Sequence, residues 1–189
     1  MPEVRRIRTE ALKDAKLRVG EKILLSGYVY TARDAAHKRI AAMLDAGEEP
    51  PFPIEGAVVY YAGPTPAPPG KPIGSCGPTT SGRMDPYAPR LLDLGLAGMI
   101  GKGERSQAVR DAVARNGAVY LCAVGGAGAL AARCIKSLEV IAFEDLGCES
   151  VKRLYIEDFP LVVCNDADGG DLFSEGRTAF RKEDALGGV

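Results

Sequence analysis

Apolar and polar positions along the chain switch between two periods, and the switches mark out the elements. Residues 3–8 alternate weakly, as a strand does. From Leu17 to Tyr30, Ile23-Leu24-Leu25 and Tyr28-Val29-Tyr30 are set off by Gly20 and Gly27, which predicts a β stretch with a bend. Ala36, Ile40, Met43 and Leu44 then recur at helical spacing. They predict a helix from Ala32 to Ala46, capped by Thr31 and stopped by Gly47 and Pro50-Pro51. Ala57–Tyr61 is a near-continuous apolar strand. Five prolines follow among the twelve residues from Gly63 to Gly74, a stretch that resists regular structure and reads as a long surface loop rather than an interdomain linker.

The second half alternates more regularly. Tyr87, Leu91 and Leu94 mark one face of a helix closed by Gly95, and Ala97–Ile100 is a short strand. Gln107–Asn116 is a helix with Val109, Ala112 and Val113 inward, followed by a buried strand from Ala118 to Val124. Gly125–Gly128 opens a helix that runs to Cys134, and Leu138–Phe143 is a further strand. Tyr155–Val163 is a last strand or strand pair, with Pro160 at an edge or break. This order predicts a single mixed α/β domain with crossover connections. Beyond Asn165 the chain turns polar and glycine-rich, so residues 1–175 are expected to form the domain and 176–189 a polar tail.

Composition removes several function classes. A chain of 189 residues with 46% hydrophobic content suits one domain with a sizeable core. A net charge of −1 gives no electrostatic reason to expect nucleic acid or an acidic membrane surface as partner. No apolar run approaches the roughly 20 residues of a membrane-spanning helix, and Met1-Pro-Glu-Val-Arg-Arg6 lacks a signal-peptide core, so a cytoplasmic protein is expected. The five cysteines, Cys76, Cys122, Cys134, Cys148 and Cys164, are isolated from one another, with no Cys-x-x-Cys pair. One histidine, His37, leaves no Cys/His zinc pattern. The thiols therefore read as small buried hydrophobes, with Cys76 set apart by its place beside the loop described next.

The candidate chemistry gathers in Gly77-Pro-Thr-Thr-Ser-Gly-Arg-Met-Asp85. Gly77-Pro78 fixes a turn, Gly82 permits close backbone approach, and Thr79, Thr80 and Ser81 offer three hydroxyls. Arg83 adds a planar fork for a carboxylate or phosphate. Asp85-Pro86 reads as an N-cap and first helical residue, which would end the loop at a helix N-terminus. Elsewhere, Arg33 lies at the mouth of the first helix, where a cation opposes the helix dipole and invites an anion. His37 lies one turn further on, and Gly101-Lys102-Gly103 presents an ammonium group in a tight turn. A rival reading comes from Gly126-Ala-Gly128-Ala-Leu-Ala131, which follows a strand, opens a helix and fits Gly-x-Gly-x-x-Ala, with Glu144 at the distance of a ribose contact. On that reading the protein binds a nicotinamide cofactor.

Four blocks in order carry a resemblance over about 150 residues. They are Gly27-Tyr-Val-Tyr-Thr-Ala-Arg-Asp-Ala-Ala-His-Lys-Arg39, Gly77–Pro86 running on to Gly98-Met-Ile-Gly-Lys-Gly103, Ala142-Phe-Glu-Asp-Leu-Gly147, and Glu157-Asp-Phe-Pro160. The chain resembles the C-terminal domain, or separate β subunit, of class I fumarate hydratases, and also the related L-tartrate dehydratase β subunit. The resemblance implies an α/β fold of the swivelling β/β/α type, with a mixed sheet core flanked by helices. It implies reversible hydration of fumarate to S-malate, with L-tartrate or mesaconate as alternative substrates. It further implies a [4Fe–4S] cluster whose cysteines belong to a partner α subunit, in a hetero-oligomer. Arg33, Arg83 and Lys102 would bind the dicarboxylate and Thr79 would move the proton, with Thr80, Ser81, Gly82 and His37 in support and no metal ligand on this chain. A module that only binds or assembles, without catalysis, is the remaining alternative.

Overall fold

The structure is a computed structural model that describes residues 4–181. Its organising feature is a strand that pairs on both edges. Strands β1 (Arg5–Arg8), β2 (Lys22–Thr31), β3 (Val58–Tyr60), β4 (Gly98–Gly101) and β5 (Val119–Cys122) lie side by side, each parallel to the next in the sheet. The fifteen-residue β7 (Val151–Asn165) runs antiparallel to β5 and to β2, so β2, β3, β4, β5 and β7 close into a five-stranded barrel. β6 (Ile135–Ala142) adds to β7 outside that ring. Closure leaves those five strands without a free edge around the ring, which disposes of the unpaired edge groups of an open sheet.

Pleating splits the apolar residues into two cores. Leu25, Val29, Val58, Tyr60, Ile100, Leu121, Leu154 and Leu161 fill the barrel. The alternate residues Val59, Tyr61, Met99 and Tyr120 face outward, where the helices cover them. Those helices are α1 (Asp34–Asp45), α2 (Ala88–Asp93) and α3 (Gln107–Arg115), which supply Ala36, Ile40, Leu91, Leu92, Val109 and Val113. α2 and α3 are the crossovers between β3, β4 and β5. α4 (Gly128–Cys134) leads directly into β6, and α5 (Leu172–Phe180) follows β7.

The bend expected at Gly27 is a register shift against β7, and a Cβ there would lie 2.0 Å from Thr9 Oγ1. Pro160 does not break its strand. It pairs with Leu24 in the stretch between Ile156, where β6 pairing ends, and Val162, where β5 pairing begins. There a residue has one partner strand instead of two, so a missing N–H costs little. Thr31 does not cap α1, because β2 runs through it and its hydroxyl bonds Ser150 O at 3.3 Å. Arg33 is the N-cap residue. The expected boundary at residue 175 falls inside α5, and positions 182–189 of the expected tail lie outside the described residues.

Candidate functional site

Parallel strands end at one rim, and in open or closed α/β sheets that rim is where ligand-binding loops gather. Arg33 follows β2, Tyr61-Ala62-Gly63 follow β3, Lys102 follows β4 and Gly125 follows β5. The Gly77–Asp85 loop lies across these ends. Pro78 bridges to Ala62, and Thr79 N donates to Tyr61 O at 2.7 Å. On the other side Thr80 bridges to Lys102, Lys102 N donates to Thr79 O at 3.3 Å, and Ser81 N donates to Lys102 O at 2.8 Å. The loop is thus one short extended segment between the ends of β3 and β4. It brings the Thr79 and Lys102 backbones into direct contact.

Three of the predicted groups have their hands free. The side chains of Thr79, Thr80 and Lys102 make no hydrogen bond or ion pair among the described residues, and Thr80 and Lys102 are exposed. Ser81 is spent on structure. It is buried, and its hydroxyl accepts from Lys102 N at 3.0 Å and bonds Tyr120 OH at 2.8 Å. A Cβ on Gly82 would meet only Glu104 O at 3.6 Å, whereas one on Gly101 would lie 2.0 Å from Ser81 Oγ and 2.9 Å from Tyr61 Cδ2, so within the protein Gly101 is the close-approach glycine.

Both arginines are held by carboxylates. Arg83 leaves a 3-10 turn (Ser81–Met84), donates from Nε to Asp34 Oδ1 at 3.0 Å, and places Nη2 2.7 Å from Asp34 Oδ2. Arg33, next to Asp34 in the chain, sets Nη2 3.2 Å from Glu149 Oε1 and packs over Gly63. Its Nε is buried with no partner among the described residues.

The expected cap at Asp85 is overturned. The helix begins three residues later, at Ala88, and the Asp85 carboxylate is engaged elsewhere. It accepts from Arg105 Nε at 2.7 Å and from Ser106 N at 2.6 Å, so it caps α3 from a distance. Arg105 is a residue that sequence reasoning missed. Its buried guanidinium sits over the rings of Tyr61 and Tyr120, with Nη1 3.3 Å from Met99 Sδ.

His37 is buried between Tyr61 and Tyr87, with its Nδ1 3.0 Å from Arg33 O. The carbonyl must accept, so Nδ1 carries the proton. Desolvation lowers its pKa to about 4. It is neutral near pH 7 and holds the start of α1 in place. Cys76 sits in the barrel core, where burial pushes its thiol up to about 12. The glycine turn before α4 packs against the same loop: Gly128 O accepts from Cys76 N at 3.1 Å, and a Cβ on Gly128 would lie 2.3 Å from Ser75 Oγ. Gly128 thus has a packing reason, and Gly126 has a positive φ of 77°. Among the described residues, no three His, Cys, Asp or Glu side chains converge to hold a metal.

A family model described as Fumarase C-terminus matches residues 3–176. The chain is 42% identical over 159 residues to the anaerobic class I fumarate hydratase of Escherichia coli (strain K12), a match covering 83% of this chain and 29% of that protein. Fumarate hydratase 2 of Leishmania major is 40% identical over 159 residues, covering 83% of this chain and 28% of that protein. A chain named "Putative L(+)-tartrate dehydratase subunit beta" from Methanocaldococcus jannaschii is 35% identical over 170 residues, covering 85% of each. The chain therefore spans about three-tenths of the length of the curated fumarate hydratases it matches, and most of the tartrate dehydratase subunit.

Proposed function

Because the chain belongs to the fumarase C-terminus family, we propose that it is the β subunit of a two-chain hydro-lyase that interconverts fumarate and S-malate. The observation that carries this reading is the gathering of Arg33, Thr79, Arg83 and Lys102 at one rim of the barrel, with the Thr79 and Lys102 backbones hydrogen-bonded to each other. Arg33, Arg83 and Lys102 bring three positive charges to that rim, two of them partly offset by Glu149 and Asp34, and two arginine forks can fix the orientation of a dicarboxylate. Arg33 offers the guanidinium donors that Glu149 leaves free, Arg83 those that Asp34 leaves free, and Lys102 an ammonium with no partner among the described residues.

Hydration adds a proton to one alkene carbon and a hydroxyl to the other, and the reverse reaction removes that proton from the carbon α to a carboxylate. We assign the proton step to the Thr79 hydroxyl. A threonine hydroxyl is a very weak acid, so its conjugate base needs strong local stabilisation. We assign that stabilisation to the cations of Lys102 and Arg83, which the adjoining segments carry. Thr80 and Gly82 shape the loop, Ser81 anchors it to β4 and β5, and His37 fixes the Arg33 backbone.

The described residues offer no ligand set for a [4Fe–4S] cluster, so we assign that cluster to a partner α subunit and the working enzyme to a cytoplasmic hetero-oligomer. A closed barrel flanked by helices suits a swivelling domain that carries its rim to the partner's site. L-tartrate is the second reading, favoured by the 85% coverage of the tartrate dehydratase subunit. Co-expression with a cluster-bearing α subunit under anaerobic conditions, followed by assays on fumarate, L-tartrate and mesaconate, tests both. Fumarate turnover by the pair and none by this chain alone is expected. Turnover of L-tartrate in preference to fumarate selects the second reading, and turnover of none of the three removes the assignment.

A further inference from the structure

Arg33 is paired with a part of the chain that the functional reading does not use. The segment Glu144–Glu149 is a broken 3-10 helix between β6 and β7, interrupted at Gly147, whose φ of 57° and ψ of −115° are non-helical. Its last residue, Glu149, is only about one-fifth exposed. One carboxylate oxygen lies 3.2 Å from Arg33 Nη2, and the other accepts from Ala35 N at 3.0 Å. A single side chain thus caps the start of α1 and grips the arginine at that helix's N-cap position.

The turn that presents Glu149 is itself fastened. Lys152, in β7, is buried with no carboxylate partner among the described residues. Its Nζ donates to Gly147 O at 3.0 Å, Cys148 O at 3.2 Å, Ser150 O at 3.2 Å and Ser150 Oγ at 2.7 Å. An ammonium group in that setting is costly unless its donors are satisfied, and the acceptors it gathers flank Glu149 on both sides. Thr31 ties the same turn to the end of β2, by its bond to Ser150 O and by accepting from Lys152 N at 3.1 Å.

We propose that Glu149 is a positioning residue for Arg33: it holds the guanidinium by one nitrogen, so that the remaining donors face a substrate carboxylate. This rests on the reading of Arg33 as a carboxylate ligand. A flexible arginine loses side-chain entropy on binding, and a fixed carboxylate behind it removes part of that loss in advance.

The test uses the enzyme assembled with its α subunit and compares Arg33→Ala, Glu149→Gln and the double variant. Glutamine keeps a carbonyl that can accept from Ala35 N, so α1 keeps its cap while the arginine loses its charged partner. Expected results are a KM increase of about tenfold for Glu149→Gln, the size of a lost charged hydrogen bond, with the melting temperature and the exchange protection of the Ala35 amide close to wild type. Glu149→Gln should add nothing to the KM of Arg33→Ala. If Arg33→Ala raises KM and Glu149→Gln leaves it unchanged or lowers it, the positioning role is wrong and the reading of Arg33 stands. If Arg33→Ala leaves KM unchanged, both fall.

Discussion

Arg105 and Asp85 form a 2.7 Å ion pair in which the arginine side chain has no solvent exposure at all. Asp85 ends the Gly77–Asp85 loop and Arg105 follows the Lys102 turn, so the pair ties together the two segments that carry Thr79, Arg83 and Lys102. Removing one member of a buried pair leaves the other charge uncompensated, which costs about 3–5 kcal/mol. Asp85→Ala should lower the unfolding free energy by about that amount in urea titration. The companion Arg105→Met/Asp85→Ala should cost less than the sum of the two single changes, because the stranded charge is gone. A simple sum would mean that the pair is not coupled.

Gly101→Ala tests the packing beneath Lys102. The added methyl would overlap Ser81 Oγ, which anchors Lys102 N and Tyr120 OH. Overpacking of this kind costs about 1–3 kcal/mol. Thermal melts should show that loss for Gly101→Ala. Adding Ser81→Ala, which removes the overlapped oxygen, should recover part of it.

His37 predicts a specific acid sensitivity. Its folded pKa of about 4 is depressed by burial, opposed by the bond to Arg33 O and by Asp34, and lowered further by the Arg105 charge. Against an unfolded value of 6.5, the unfolded chain binds the proton first as pH falls. Stability present above pH 6.5 is therefore lost progressively down to about pH 4, and amounts to about 3 kcal/mol from this group. Carboxylates titrate over the lower part of the same range, so the measurement is a difference. His37→Gln should flatten the stability slope between pH 6.5 and 4 relative to wild type, and parallel curves would contradict the assignment.

Arg83→Lys keeps the charge and loses the fork. It also gives up the two-point contact with Asp34 that aims the side chain across the rim. In the assembled enzyme, kcat/KM for the dicarboxylate should fall by about 10- to 100-fold, the range for a lost charged hydrogen bond. Near-wild-type kinetics would place Arg83 outside the site.

The sequence is legible where a signal is local. The bent β stretch of β2, the apolar runs of β3 and β5 and the glycines that close α2 and α3 all stand in the order predicted, and Gly95 and Gly117 have the positive φ of helix-stop residues. The signals that misled are also local. Asp85-Pro86 has the form of a helix cap, but a buried arginine twenty residues away competes for the carboxylate and wins. Arg105 itself stands beside Lys102 and Glu104 in a short charged stretch that reads as solvated surface. Its burial arises because Tyr61, Met99 and Tyr120, from the ends of three strands, converge on it in space. Glu149 was silent for the same reason, since its partners Arg33 and Ala35 lie more than a hundred residues earlier. Barrel closure depends on β7 pairing with both β2 and β5, a non-local fact that no window of sequence contains.

Thr79→Ala should abolish turnover while leaving substrate binding largely intact. The Thr79 backbone is fixed by bonds to Tyr61 O and Lys102 N, neither of which involves the side chain, so the loop should keep its path when the hydroxyl is removed. As a neutral hydrogen-bonding group, that hydroxyl contributes about 1 kcal/mol or less to ground-state binding. A proton-transfer group contributes about 10²–10⁴-fold to rate, so the loss should appear in kcat with KM little changed. Thr80→Ala is the matched control. It removes the same hydroxyl one position away, from an exposed residue on the same extended segment. Successive residues of an extended segment point to opposite faces, so only one of the two hydroxyls can face the bound substrate. A dead Thr80→Ala with a normal Thr79→Ala would move the assignment by one residue. Normal turnover in both would assign the proton to a group on the partner subunit and leave this loop with substrate positioning alone.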